Sequence, residues 1–142
     1  MDKVDLEIQS KKYKIVYDRE KHFKNVANYL TIPFKNHFIV ETWGVNPQII
    51  SQAPQIRDMM DRLVEQLGLH KISEFTHQFV PHGVTRFTIL EESHLAIHTW
   101  PELKYAHINL VTCSKRTDFS KLDKIVEDLF RPEYYEICEL IY

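Results

Sequence analysis

The sequence is short of glycine, with 3 in 142 residues. That is too few for the glycine-rich loops that cradle phosphates, which excludes the common nucleotide-triphosphate motifs. Cysteine is scarcer still: Cys113 and Cys138 stand far apart with no Cys-x-x-Cys pair, so neither a disulfide framework nor a zinc knuckle is expected. No apolar run approaches the roughly 18 residues of a membrane span. The opening Met1-Asp2-Lys3-Val4-Asp5 carries no signal-peptide core, which predicts a cytoplasmic protein with no membrane partner. An excess of positive charge is also missing. Lys and Arg total 18 against 20 Asp and Glu, so no basic field exists to hold a nucleic-acid backbone.

What is present suits one packed domain. Hydrophobic residues make up 44% and charged residues 27%, enough for both a core and a soluble surface, and the length leaves little room for a second core. Residues 1–36 read as a strand near Lys12–Tyr17 and a helix capped by Asp18, with Phe23, Val26, Ala27 and Leu30 on one face. His37-Phe38-Ile39-Val40-Glu41-Thr42-Trp43 suits a strand that Gly44 ends. Pro54 can open a helix in which Ile56, Met59, Met60, Leu63, Val64 and Leu67 recur at helical spacing, and Gly68 closes it. Strands are expected over about 72–80, 84–90, 94–99 and 105–113, with Pro81-His82-Gly83 and Trp100-Pro101-Glu102 as breaks. A second helix over 119–130 is capped near Asp118 and stopped by Pro132, and Tyr134–Ile141 closes as a strand. The order predicts an α+β two-layer sandwich, a mostly antiparallel sheet with two helices on one face.

Alternation along 105–113 puts Ala106, Ile108 and Leu110 on one face and Tyr105, His107, Asn109 and Cys113 on the other. If the apolar face meets the helices, Cys113 lies where a substrate or a second subunit can reach it. Cys138, among Ile137, Leu140 and Ile141, reads as a small core hydrophobe. Five histidines crowd the middle of the chain, His77, His82, His94, His98 and His107, yet no Asp or Cys completes a recognisable ligand spacing, so no metal is expected.

The segment Glu91-Glu92-Ser93-His94-Leu95-Ala96-Ile97-His98-Thr99-Trp100-Pro101-Glu102 closely resembles the processing signature of the short prokaryotic pyruvoyl-dependent S-adenosylmethionine decarboxylases, Glu-Ser-His-Leu-x-Ile-His-x-x-Pro-Glu. The resemblance extends back through Phe79-Val80-Pro81-His82-Gly83-Val84 and His37–Glu41, and forward to Thr112-Cys113. It covers residues 37 to about 142, which would form the core domain. Residues 1–36 look like an N-terminal extension.

The resemblance implies a protein that makes its own cofactor. The hydroxyl of Ser93 would attack the carbonyl of Glu92, and elimination would then cut the chain and leave a pyruvoyl group on residue 93. That ketone would condense with the α-amine of S-adenosylmethionine and act as the electron sink for loss of carbon dioxide, yielding the aminopropyl donor for spermidine and other polyamines. By family match, His98 assists processing as acid and base, and Thr85 stands where a serine normally helps. Cys113 returns a proton to the product, while Phe79 stacks on adenine and Glu41 contributes to substrate binding. Ser93 and His98 are five apart, on opposite faces of a regular strand, so a bend or bulge near Ser93 or Thr99 is expected if His98 is to reach the bond. The uncovered polar face of Tyr105, His107 and Asn109, together with the family habit of pairing sheets, predicts a homodimer.

Five positions depart from the pattern. Thr85 replaces serine, Arg86 replaces glycine, Leu103-Lys104 replaces Tyr-Gly, and Ser114 replaces glycine. A guanidinium facing the substrate would repel a sulfonium cation, whereas alternation points Arg86 away from Thr85. Two other readings go with these departures: a pyruvoyl-dependent ornithine or arginine decarboxylase on the same fold, and an unprocessed inactive relative that serves as a binding partner.

Overall fold

The computed structural model describes residues 7–9, 12–16 and 33–141. Its strands are β1 (Glu7–Gln9), β2 (Lys12–Val16), β3 (Asn36–Trp43), β4 (Lys71–Gln78), β5 (Val84–Leu90), β6 (Ser93–Trp100), β7 (Tyr105–Thr112) and β8 (Tyr134–Ile141). They form one sheet in the order β1-β2-β8-β3-β7-β6-β5-β4. Every neighbouring pair is antiparallel except β2 with β8. From β4 to β7 the chain is a plain meander, because connections this short allow only antiparallel return. The hairpin of β1 and β2 lies against β8 and lengthens the same sheet. Tyr17 and the helix expected after Asp18 lie outside the described residues.

Two helices of useful length pack on one face, as the periodicity predicts: α2 (Ala53–Gln66) and α3 (Leu122–Phe130). A four-residue helix, α1 (Pro47–Ile50), precedes them and was not expected. Asn46 starts it by accepting the Gln48 N–H at 3.0 Å, and Pro47 takes the first turn, where its missing N–H costs nothing. The second helix begins later than the sequence suggests. Asp118 caps a 3₁₀ turn over Phe119–Lys121, accepting the Ser120 N–H at 3.1 Å, and the α-helix proper starts at Leu122.

Ile56, Met59, Met60, Leu63 and Val64 of α2 and Leu122, Ile125, Val126 and Phe130 of α3 are buried against the sheet. Each such burial stabilises by roughly 1.5–3 kcal/mol, which is what holds the layers together. Beneath them lie Phe38 and Val40 of β3, Val84 and Leu90 of β5, Leu95 and Ile97 of β6, and Ala106, Ile108 and Leu110 of β7. Strand alternation sends the intervening residues to the other face, which no described helix covers. That face carries Thr85, Phe87, His98, Trp100, His107, Tyr105 and Trp43, and Phe87 is 46% exposed.

Candidate active site

β5 and β6 are joined by two residues only, since Leu90 pairs with Ser93 and leaves Glu91 and Glu92 as the turn. Ser93 opens β6 with a φ of 143°, a conformation a side-chain-bearing residue rarely takes. Its other neighbour across the sheet is Thr112 at the end of β7. That register brings the next residue, Cys113, beside Glu92, and the Cys113 N–H donates to the Glu92 carbonyl oxygen at 2.8 Å. Cys113 itself is exposed. Asn36 secures the chain just beyond it, donating from Nδ2 to the Ser114 carbonyl at 3.1 Å. Pro33, Phe34, Lys35, Glu91, Val111 and Thr112 complete with Glu92, Ser93 and Cys113 the lining of a pocket of about 320 Å³.

Glu92 is gripped by its side chain as well. The backbone N–H of His70 donates to Oε2 at 3.1 Å, and His70 Nδ1 lies 2.6 Å from Oε1. Burial pushes the Glu92 carboxyl up, but the hydrogen bonds from His70 outweigh it and leave the group below its ordinary range. The same contact raises the imidazole of His70. His70 is a residue the sequence reading missed. It sits in an unremarkable loop before β4, and only the packing of that loop on the β5–β6 turn singles it out.

A second group of the expected residues lies elsewhere on the sheet. Thr85 of β5 pairs with His98 of β6, and Thr85 Oγ1 is 2.9 Å from His98 Nδ1. His98 in turn pairs with His107 of β7, ring centroids 6.2 Å apart, and His107 Nδ1 hydrogen-bonds Glu41 Oε1 on β3. Thr85, His98, His107 and Glu41 therefore form one row across four strands of the uncovered face. Burial, and then the neighbouring His107, hold the His98 imidazole below its ordinary value, so at neutral pH it has a free nitrogen for a hydroxyl proton. Phe79 is at this end too, 48% exposed and edge-on to His77 at 4.6 Å, and His77 pairs with Thr85.

The two groups do not meet within one chain. β6 pairs in unbroken register with β5 from Ser93 to His98 and with β7 from Ser93 to Trp100, so the expected bend near Ser93 or Thr99 is absent. At about 3.3 Å per residue, five residues separate Ser93 from His98 by about 16 Å. The chain strain appears instead in the backbone of Ser93 itself, as the positive φ. Arg86 points where alternation predicts, under the helices and 1% exposed, where it pairs with Asp61 at 3.2 Å and with Glu74 and donates to Thr76 at 3.0 Å. Among the described residues, the five mid-chain histidines do not gather into a ligand set. The one group whose ligand atoms lie within 4.8 Å of one another is His70, Glu91 and Glu92.

A family model described as S-adenosylmethionine decarboxylase matches residues 36–141. The chain belongs to the S-adenosylmethionine decarboxylase family. It is 36% identical over 104 residues to the S-adenosylmethionine decarboxylase proenzyme of Methanococcus maripaludis, covering 73% of this chain and 85% of the relative. To the proenzyme of Archaeoglobus fulgidus it is 34% identical over 99 residues, 70% of this chain and 88% of the relative. The crystal structure of the adenosylmethionine decarboxylase from Aquifex aeolicus superposes with a TM-score of 0.69 at 28% identity, covering 77% of this chain and 90% of the other. The family match begins at Asn36, the first residue of β3, and so leaves out β1 and β2.

Proposed function

We propose that this chain is a self-cleaving proenzyme that cuts itself between Glu92 and Ser93 and then decarboxylates S-adenosylmethionine to the aminopropyl donor used in polyamine synthesis. Proenzyme relatives at 34–36% identity support the activity. The observation that carries the cleavage is the Cys113 N–H on the Glu92 carbonyl, next to a Ser93 backbone at φ 143°. When Ser93 Oγ adds to that carbonyl carbon, negative charge develops on the oxygen the N–H already holds. The hydroxyl proton passes to a base and returns to the departing nitrogen as the C–N bond breaks, leaving an ester. Loss of the Ser93 Cα proton then expels the Glu92 carboxylate and cuts the chain, and water releases the nitrogen as ammonia. The fragments are residues 1–92 and 93–142, and a pyruvoyl ketone caps the second.

Once formed, that ketone supplies the electron sink that accepts the pair left behind by carbon dioxide. The chain's own residues do the rest. Cys113, exposed in the pocket beside residue 93, donates the proton to the product carbon. Phe79 and Glu41 lie with the Thr85–His98 row, away from residue 93 of their own chain, and serve the substrate from a second copy: Phe79 offers an exposed ring for adenine and Glu41 a carboxylate. Arg86 was the reason to consider ornithine or arginine as substrate, and its burial under the helices removes that reason.

Thr85 and His98 serve the bond through a homodimer. The exposed aromatic face calls for a partner, and a second copy laid on it would bring its Thr85–His98 pair to a Glu92–Ser93 bond that the pair cannot reach in its own chain. Residues 1–36 are an extension on a core of residues 37–142. The protein is cytoplasmic, and no described helix is long and apolar enough to cross a membrane. The deciding experiment measures carbon dioxide release from S-adenosylmethionine, ornithine and arginine side by side. Release from the amino acids alone would overturn the substrate.

A further inference from the structure

The turn that carries the scissile bond has unsuitable residues for its length. Two-residue hairpin turns are normally built on glycine, asparagine or aspartate, which accept positive φ at little cost. Here two glutamates make the turn and the positive φ falls on Ser93. Their adjacent carboxylates also repel one another. Local preference does not hold this turn in place, so contacts from outside must.

His70 provides them. Its N–H and its Nδ1 take one oxygen each of the Glu92 carboxylate, and its own carbonyl accepts the Glu91 N–H at 2.8 Å. Nδ1 also lies 3.9 Å from the Glu91 carboxylate, so one imidazole faces both acids. From the opposite side the Cys113 N–H holds the Glu92 carbonyl at 2.8 Å. Glu92 is thereby fixed at both its carboxylate and its carbonyl, immediately before Ser93. An exposed ion pair of this kind adds little to stability. Orienting a reacting carbonyl, by contrast, acts directly on rate.

We infer that His70 is a positioning residue for self-cleavage: its two-point grip on the Glu92 carboxylate sets the direction of the Glu92 carbonyl for attack by Ser93 Oγ. This rests on the self-cleavage reading above. In the attack the Oγ–C bond forms as the hydroxyl proton leaves for a base, and the carbonyl electron pair moves onto the oxygen bound by the Cys113 N–H. His70 forms no bond and takes no proton. It keeps the carbonyl aimed while the others react.

The test follows conversion of the full 142-residue chain into its two fragments during cell-free synthesis, for the parent, His70→Ala and His70→Asn. Asparagine places an N–H donor where Nδ1 stands, without a ring. His70→Ala should cleave about tenfold more slowly and His70→Asn near the parent rate. Cleavage of His70→Ala at the parent rate, or of His70→Asn as slowly as His70→Ala, would overturn the inference. In the uncleavable Ser93→Ala background, adding His70→Ala should leave the melting temperature within about 2 °C. A larger fall would make the effect one of folding and overturn the positioning role. A parent chain that never cleaves would sink the self-cleavage reading itself, a result distinct from an unchanged His70→Ala rate.

Discussion

The backbone N–H of Cys113 points at the carbonyl oxygen of Glu92 at 2.8 Å, while the Cys113 side chain is exposed. Under the proposed mechanism one residue thus serves two reactions with two different groups. Cys113→Ala keeps the N–H and removes the thiol, so chain cleavage should continue at close to the parent rate while product release from S-adenosylmethionine falls by about 100-fold or more. Gel analysis and a carbon dioxide assay on the same sample separate the two effects. Loss of cleavage would mean that the thiol is needed at the first step.

Ser93→Ala should abolish both reactions, because no other hydroxyl opens the strand. The parent should run as two fragments on a denaturing gel and carry a carbonyl that borohydride consumes. The variant should remain a single 17.0 kDa band without one. A parent that also stays whole identifies an inactive relative.

The separation of Ser93 from His98 along an unbroken strand gives the dimer a direct test. Ser93→Ala and His98→Ala chains should each stay uncut alone. Mixed and refolded together, the His98→Ala chain should be cut, because the Ser93→Ala partner brings an intact His98. Failure of the mixture, or a monomer by light scattering at micromolar concentration, would leave His98 without a route to the bond.

Arg86 fills the space beneath α2 that the family pattern leaves to glycine. Arg86→Ala removes the buried guanidinium from Glu74 and Asp61, which are partly exposed and keep Lys71, and should cost about 1.5–3 kcal/mol in urea unfolding. The guanidinium of Arg86, and then Lys71, hold the Glu74 carboxyl down at about 2, from an ordinary 4.5. A carboxyl lowered on folding stabilises fully above its unfolded value, and that contribution drains away as pH falls from 4.5 towards 2. The parent should therefore lose more stability than Glu74→Gln between about pH 6 and about pH 3. Equal losses would show that Glu74 does not carry the acid sensitivity.

Phe79→Ala should raise KM for S-adenosylmethionine by about tenfold, with kcat changed far less, if the ring stacks on adenine. An unchanged KM would return Phe79 to the role of an exposed loop aromatic.

The elements were legible because their signals are local. Helical spacing marked α2 from Ile56 to Val64, alternation marked β7, and Tyr134–Ile141 reads as a strand after Pro132 stops the helix. Alternation also placed Arg86 and Thr85 on opposite faces. α1 escaped notice because four residues are too few to show a period, and its cap at Asn46 is shared by many turns.

The sequence by itself determined the layers, because helix and strand periods are local, and it carried the signature around Glu92-Ser93 and the later Cys113 on which the family resemblance rests. Tertiary structure decided who stands beside whom. The contact of Cys113 with Glu92 follows from the register of β6 on β7, and the grip of His70 follows from a loop arriving 22 residues away along the chain. The row from Thr85 to Glu41 exists only because four strands align side by side. Strand register is a sum over many cross-strand pairs and a buried face, so no single stretch of sequence contains it. The same register, with no bend in β6, keeps Ser93 and His98 apart, on the opposite faces that their spacing of five implies.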